Sequence, residues 1–256
     1  MLGAIAGDII GSVHEGAGTK TRDFPLFVAA STFTDDSVLT VAVADALLHG
    51  GDYVDLFHDY FHRYPDAGFG GYFRGWATSR DREPYNSWGN GSAMRVSPVG
   101  FAAQSLDEAV EEARRSAAVT HDHPEGIRGA QAIAAAIYLA RHGADKADIK
   151  ARIEELFGYR LEKALADIRP RYRFDVSCQG SVPPSIIAFL ESDDVESAIR
   201  NAISLGGDAD TMACMAGGIA EAYYGGLPEE LRKETMAQLD APLREIVERF
   251  AARYGL

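Results

Sequence analysis

Two stretches of this chain are apolar on nearly every side. Val38 to Leu48 is broken mainly by Thr40 and Asp45, and Met212 to Ala222 is apolar or small throughout, with Gly217 and Gly218 inside it. A helix without a polar stripe has to be wrapped by other elements, so both segments read as central helices of one domain. Glycine within a helix costs about 1 kcal/mol relative to alanine, and close approach of a neighbouring helix is one compensation for it.

The remaining periodicity is also helical. Tyr53, Leu56, Phe57, Tyr60, Phe61 and Tyr64 recur at three- and four-residue spacing with charged residues between them, which predicts an amphipathic surface helix. Ser105 with Glu108 reads as a capping box, and Asp193 with Glu196 as a second. Pro124 opens a helix that stops near Gly143, Ile149 to Phe157 forms another ended by Gly158, and Pro228 and Pro242 each stand where a helix begins. Val96 to Phe101 is too short for a strand and carries Pro98, so no strand is predicted. The longest irregular part is Pro65 to Gly91, rich in glycine and aromatic residues. A length of 256 residues without repeats or a low-complexity linker fits a single all-α domain spanning 1–256.

Each central helix follows a carboxylate-rich turn: Thr34-Asp35-Asp36-Ser37 before the first and Gly206-Gly207-Asp208-Ala209-Asp210-Thr211 before the second. Asp, Ser and Thr are preferred helix caps, and acids favour the positive end of the helix dipole. One cap needs one side chain, however, and here two acids and a hydroxyl sit together twice. Four carboxylates meeting at the ends of buried helices would require counter-charge, because burying an unpaired ion costs several kcal/mol. Oxygen donors of this kind suit Mg²⁺, Mn²⁺ or Ca²⁺, not zinc or copper, and a two-ion site with the ions about 3.5–4 Å apart fits the number of ligands. Convergence of the two motifs is the expectation on which this rests.

Asn86-Ser87-Trp88-Gly89-Asn90-Gly91-Ser92-Ala93-Met94-Arg95 combines glycines with amides that could cradle an anion, or is a plain turn before a short helix. Thr120-His121-Asp122-His123 could supply metal ligands or a structural histidine, and has no zinc-type spacing. Glu15 is a lone acid after Gly7-Asp8.

The formal net charge of −13 argues against nucleic-acid backbones and anionic membranes as partners. Any anionic ligand has to be neutralised locally, by ions or a few basic groups. Cys178 and Cys214 form no metal or disulfide framework and fit a reducing cytoplasm. The N-terminal residues lack a basic signal-peptide region, and no apolar run approaches the roughly 20 residues of a membrane span.

The ordered set Gly3-Ala4-Ile5-Ala6-Gly7-Asp8, Thr34-Asp35-Asp36-Ser37, Gly89-Asn90-Gly91-Ser92-Ala93-Met94-Arg95, Thr120-His121 and Gly206-Gly207-Asp208-Ala209-Asp210-Thr211 resembles the ADP-ribosylglycohydrolase family, including its dinitrogenase-reductase-activating members. The resemblance implies an orthogonal all-α bundle and two Mg²⁺ or Mn²⁺ ions on Thr34, Asp35, Asp36, Asp208, Asp210 and Thr211. It also implies that Glu15 is a mobile acid near the metals. Asn86, Ser87 and Trp88 would attend the diphosphate, with Trp88 placed to stack on adenine. Asn90 and His121, with Gly89 and Gly91 beside them, would contact the distal ribose or phosphate, and Ser181-Val182-Pro183 would form an adenosine-side loop.

The implied reaction is hydrolysis of a glycosidic bond between ADP-ribose and an acceptor. Glycoside cleavage passes through an oxocarbenium-like state and ordinarily uses two carboxyl groups. Glu15 is assigned as acid/base, and Asp35 or Asp210 as the residue steering the water. An arginine N-glycoside is the first expectation for the linkage. O-linked ADP-ribose and O-acetyl-ADP-ribose are alternatives, a two-metal phosphoester or diphosphate hydrolase is a rival chemistry, and a non-catalytic ADP-ribose binder is a third reading.

Overall fold

The computed structural model describes all 256 residues and contains only helices, apart from one isolated bridge between Gly89 and Ser177. The first half of the chain forms α1 (Leu2–Gly11), α2 (Asp35–His49), α3 (Tyr53–Arg63), α4 (Gly71–Ser79), α5 (Gly91–Met94), α6 (Ser97–Ala102), α7 (Leu106–Ala118) and α8 (Pro124–Arg141). The second half forms α9 (Lys146–Phe157), α10 (Leu165–Ile168), α11 (Cys178–Leu190), α12 (Val195–Ile203), α13 (Ala209–Tyr224), α14 (Glu229–Gln238) and α15 (Ala241–Tyr254). No helix is long and apolar enough to cross a membrane.

Helix α13 is the axis of the domain and is buried from Ala209 to Glu221. It packs against α1, α8, α11 and α12, and its pairing with α1 is the most extensive in the molecule. Small residues make that pairing possible. A Cβ at Gly7 would lie 2.1 Å from the Ala213 carbonyl oxygen, and one at Gly11 would lie 2.4 Å from the Asp210 Cα. The two backbones therefore touch, and the approach delivers Asp8 of α1 beside the acidic start of α13. Helix α2, the other segment read as central, is buried from Asp36 to Ala44 and packs between α1, α3, α6 and α15.

Several local expectations are corrected. The stretch from Pro65 to Gly91 contains α4, because Phe73, Trp76 and Ala77 bury one face against the α3 aromatics. The box before α12 is built one residue later than expected: Asp194 accepts from the Ser197 amide at 2.6 Å, and the Ser197 hydroxyl accepts from the Asp194 amide at 3.0 Å. At α7 the Ser105 cap forms as expected, but the Glu108 carboxylate accepts from the Gln104 amide, not from Ser105.

The segment expected as a loop at Ser181-Val182-Pro183 lies inside α11, where Pro183 and Pro184 are both helical. Each proline removes a backbone N–H from the ladder. The Gly180 carbonyl, the one left without Pro184 as its donor, instead accepts from the Tyr172 hydroxyl at 2.8 Å. The Ser181 hydroxyl likewise turns inward and donates to Ser177 O at 2.7 Å.

Candidate active site

The N-termini of α2 and α13 meet at the floor of a cavity of about 330 Å³. Thr34, Asp35, Asp36, Asp208, Asp210 and Thr211 all line it, together with Glu15. Convergence of the two acidic motifs, expected from the sequence, is therefore observed. The Thr211 hydroxyl donates to Asp36 Oδ2 across 3.3 Å and joins them directly. Carboxylate oxygens of Asp8, Asp36 and Asp210 lie within 4.8 Å of one another, as do those of Glu15, Asp208 and Asp210. Asp210 belongs to both groups.

Ordinary capping accounts for little of this. Thr34 does cap α2, accepting from the Asp36 amide at 3.3 Å. Asp208 stands at the cap position of α13 but accepts no helix amide, and its Oδ2 instead accepts from Asn90 Nδ2 at 2.8 Å. Asp36 Oδ1 is buried with no hydrogen-bond partner. An orphaned carboxylate oxygen among other acids is what a cation ligand looks like without its cation, so the donor set fits hard divalent ions.

Asp8 ends the Gly3–Asp8 motif, and the sequence alone gives it no role at the site. It is fully buried within α1, and both its oxygens are in use. Oδ1 accepts from Thr34 Oγ1 at 2.6 Å, while Oδ2 accepts from the Thr34 amide at 2.9 Å, the Ser37 amide at 3.0 Å and the Ser37 hydroxyl. It thus holds the first acidic turn from behind, and it turns the Thr34 hydroxyl proton away from the cavity, leaving that oxygen able to act as a ligand. A charged residue inside an otherwise apolar helix was the available signal.

The electrostatics follow from crowding. Burial, then the neighbouring Asp8 charge, raises the Asp35 carboxyl to about 8. Asp36 and Asp210 rise well above the usual carboxylate range, through burial first and then through Asp8 and Asp208 respectively. Burial also raises Asp208, and it raises Glu15 with smaller help from Asp208 and Asp8. Five neighbouring carboxyls of this kind are stabilised as anions only by added positive charge.

The Gly-rich turn forms another wall of the cavity, joined to the acids through Asn90. Ser87, Gly89, Asn90 and Gly91 line the cavity. The turn pairs part of its backbone, while the Gly91 and Ser92 amides at the start of α5 have no hydrogen-bond partner. The Ser87 amide donates to Thr120 O, the Gly89 amide to Ser87 Oγ, and the Asn90 amide to Val176 O. A full positive charge comes from Arg95, which is wholly buried and lines the cavity. Its Nη2 donates to Ser116 O and Thr120 Oγ1, its guanidinium lies 4.3 Å from the Phe57 ring centroid, and Nε and Nη1 have no partner. Burial lowers Arg95 to about 10, so it remains a cation. His121 also lines the cavity, and burial, then Arg95, lowers it well below 6.5, so it is neutral there.

Three expected contacts are not brought to the cavity. Asn86 and Trp88 lie outside its lining, and Trp88 is half exposed against His123. Ser181 is buried in α11. Tyr72 and Tyr85, stacked at 6.2 Å, supply the aromatic surface of the cavity instead.

A family model described as ADP-ribosylglycohydrolase matches residues 1–256. The chain is 29% identical to the ADP-ribosylhydrolase ARH3 of Mus musculus, over 88% of this chain and 82% of that protein. It is 28% identical to the ADP-ribosylarginine hydrolase Tri1 of Pseudomonas putida (strain GB-1), over 90% of this chain and 71% of that protein. A solved structure described as an ADP-ribosylglycohydrolase-related protein complex superposes with a TM-score of 0.67 at 26% identity, covering 98% and 97% of the two chains.

Proposed function

The chain belongs to the ADP-ribosylglycohydrolase family, whose members hydrolyse ADP-ribose linkages, and on that premise we propose that it is a divalent-metal-dependent enzyme releasing ADP-ribose from an arginine N-glycoside. The observation that carries this reading is the meeting of Asp36 and Asp210, from two distant motifs, at the floor of one cavity.

Thr34, Asp35, Asp36, Asp208, Asp210 and Thr211 would hold two Mg²⁺ or Mn²⁺ ions, which supply positive charge for a ribose diol and lower the pKa of a bound water. The chain's own residues do the rest. Glu15 is an exposed residue of the cavity lining, and partial burial, then Asp208 and Asp8, raises its carboxyl above the ordinary value. It can give a proton to the departing acceptor nitrogen and take one from the incoming water. Asp35 or Asp210 orients that water. Arg95 offers fixed positive charge toward the diphosphate, and neutral His121 offers a hydrogen bond. Tyr72, 84% exposed and stacked on Tyr85, provides a face for the adenine at the mouth. Such a ligand gathers its charge compensation at both ends of the cavity, which an acidic protein requires.

The test is a panel of arginine-linked, serine-linked and acetyl-ester ADP-ribose substrates, each assayed with Mg²⁺, Mn²⁺ and chelator. Release of ADP-ribose from the arginine adduct, lost on chelation, is expected. AMP or inorganic phosphate as product would assign phosphoryl chemistry, and full activity of both Asp36→Ala and Asp210→Ala without added metal would sink the metal assignment.

A further inference from the structure

A second hollow of about 440 Å³ abuts the active-site cavity, and Thr34 and Gly68 belong to the walls of both. We propose that this hollow is the acceptor subsite, in which Asp66 and the Phe33 and Tyr64 rings receive the guanidinium of the arginine from which ADP-ribose is cleaved. The inference rests on the hydrolase reading above and specifies where its leaving group sits.

Position is the first argument. The Gly-rich wall, His121 and Arg95 belong to the cavity alone, and the hollow meets the cavity at Thr34 and Gly68. With the diphosphate against the residues that belong to the cavity alone, the shared edge at Thr34 and Gly68 is free to pass the acceptor into the hollow. Gly68 adopts φ +96°, and a Cβ there would stand 3.5 Å from Asp35 Oδ1, so at this position no side chain stands between the hollow and Asp35.

Chemistry is the second. Phe33 and Tyr64 meet edge to face at 5.9 Å, and the Tyr64 hydroxyl is anchored to Asp240 at 2.8 Å. Aromatic faces and a carboxylate are the two groups that bind a planar guanidinium. Asp66 is exposed and engages in no ion pair. The one basic residue of the hollow, Arg63, already has its charge engaged: it pairs with Asp59 at 2.8 Å and lies 4.0 Å over the Tyr60 ring. Asp66 is therefore the uncompensated charge. The segment carrying it is also fixed, because Ala67 O accepts from the Asp35 amide at 2.6 Å and the Ala67 amide donates to Tyr64 O at 3.1 Å.

The experiment measures binding of free L-arginine by calorimetry to the full chain carrying Mn²⁺ and ADP-ribose, alongside KM for an ADP-ribosylarginine peptide. Asp66→Asn is expected to weaken arginine binding and raise KM about fivefold, the upper end for an exposed charged pair, with ADP-ribose affinity within twofold of wild type. Asp66→Glu should recover most of the loss. Arginine affinity and KM within twofold of wild type in Asp66→Asn would overturn the subsite, as would equal losses in Asp66→Asn and Asp66→Glu. The two readings fail separately. A wild type that binds arginine through Asp66 but releases no ADP-ribose from any adduct keeps the subsite and refutes the hydrolase assignment. Release from serine or acetyl adducts without arginine binding does the reverse.

Discussion

The Thr211 hydroxyl and Asp36 Oδ2, separated by 175 residues, lie 3.3 Å apart. This contact brings the start of α13 against the start of α2, and with it a set of carboxylates that repel one another without cations. Replacing one of them with a neutral amide should therefore relieve the metal-free protein. In chelator, Asp36→Asn is expected to melt at or above the temperature of wild type. Saturating Mn²⁺ at about 100 times its Kd would add about 2.7 kcal/mol to wild type, or roughly 5–10 °C for a domain of this size, and leave the variant nearly unmoved. Thermal melts with Mn²⁺ and with chelator check both halves. A variant that melts far below metal-free wild type would show that Asp36 is a structural acid.

Much of this site was legible because its chemistry is concentrated. Thr34-Asp35-Asp36 and Asp208-Ala209-Asp210-Thr211 carry more acid than capping needs, and each precedes a helix with no polar face. Asp8 was harder to read, since one acid in an apolar helix has no partner in its own segment; its role depends on Thr34 and Ser37 folding back onto it. Trp88 and Ser181 fell outside the cavity for a related reason. Which face of a turn or helix an aromatic or hydroxyl occupies is decided by tertiary pairing, here that of Gly89 and Asn90 with residues 176–177. The one-residue shift from Asp193 to Asp194 reflects two adjacent acids competing for one cap, settled by the Ser197 hydroxyl.

The α1–α13 contact predicts a sharp contrast between glycines. Gly7→Ala would drive a methyl to within 2.1 Å of the Ala213 carbonyl oxygen, so the helices have to separate. A loss of about 3 kcal/mol or more is expected in urea unfolding, at the severe end of overpacking, with weaker metal binding because Asp8 and Asp210 move apart. Gly75→Ala, in α4 with nothing within 4 Å of the added carbon, should instead stabilise by up to about 1 kcal/mol.

Asn90 was expected to touch ribose or phosphate, but its side-chain amide already donates to Asp208 Oδ2 at 2.8 Å. Removing a hydrogen bond that orients a metal ligand typically costs about 10–100-fold in metal affinity. Asn90→Ala should therefore weaken Mn²⁺ binding by at least about tenfold in calorimetry before any nucleotide is added. A change seen only in ADP-ribose binding would place Asn90 on the ligand instead.

His121 makes a pH prediction whose sign is fixed by its surroundings. Burial, with Arg95 nearby, holds its folded pKa well below 6.5, the value it regains on unfolding. A histidine of lowered folded pKa contributes its full share of stability above the unfolded pKa and loses it as pH falls below about 6.5, because the unfolded chain then takes up the proton more readily. The loss approaches about 1.4 kcal/mol per pH unit at most and ends at the folded pKa. His121→Gln removes this titration. In urea unfolding with saturating Mn²⁺ at pH 8, 7, 6 and 5, the stability gap between wild type and variant should be constant from pH 8 to 7 and narrow below it. His14 and His58, which burial also lowers, act in the same direction but cancel in the difference. A gap that widens toward pH 5 would mean that His121 is a cation in the folded protein. A narrowing gap leaves Arg95 as the only side-chain cation lining the cavity, and makes the diphosphate wall depend on one buried guanidinium whose Nε and Nη1 await a partner.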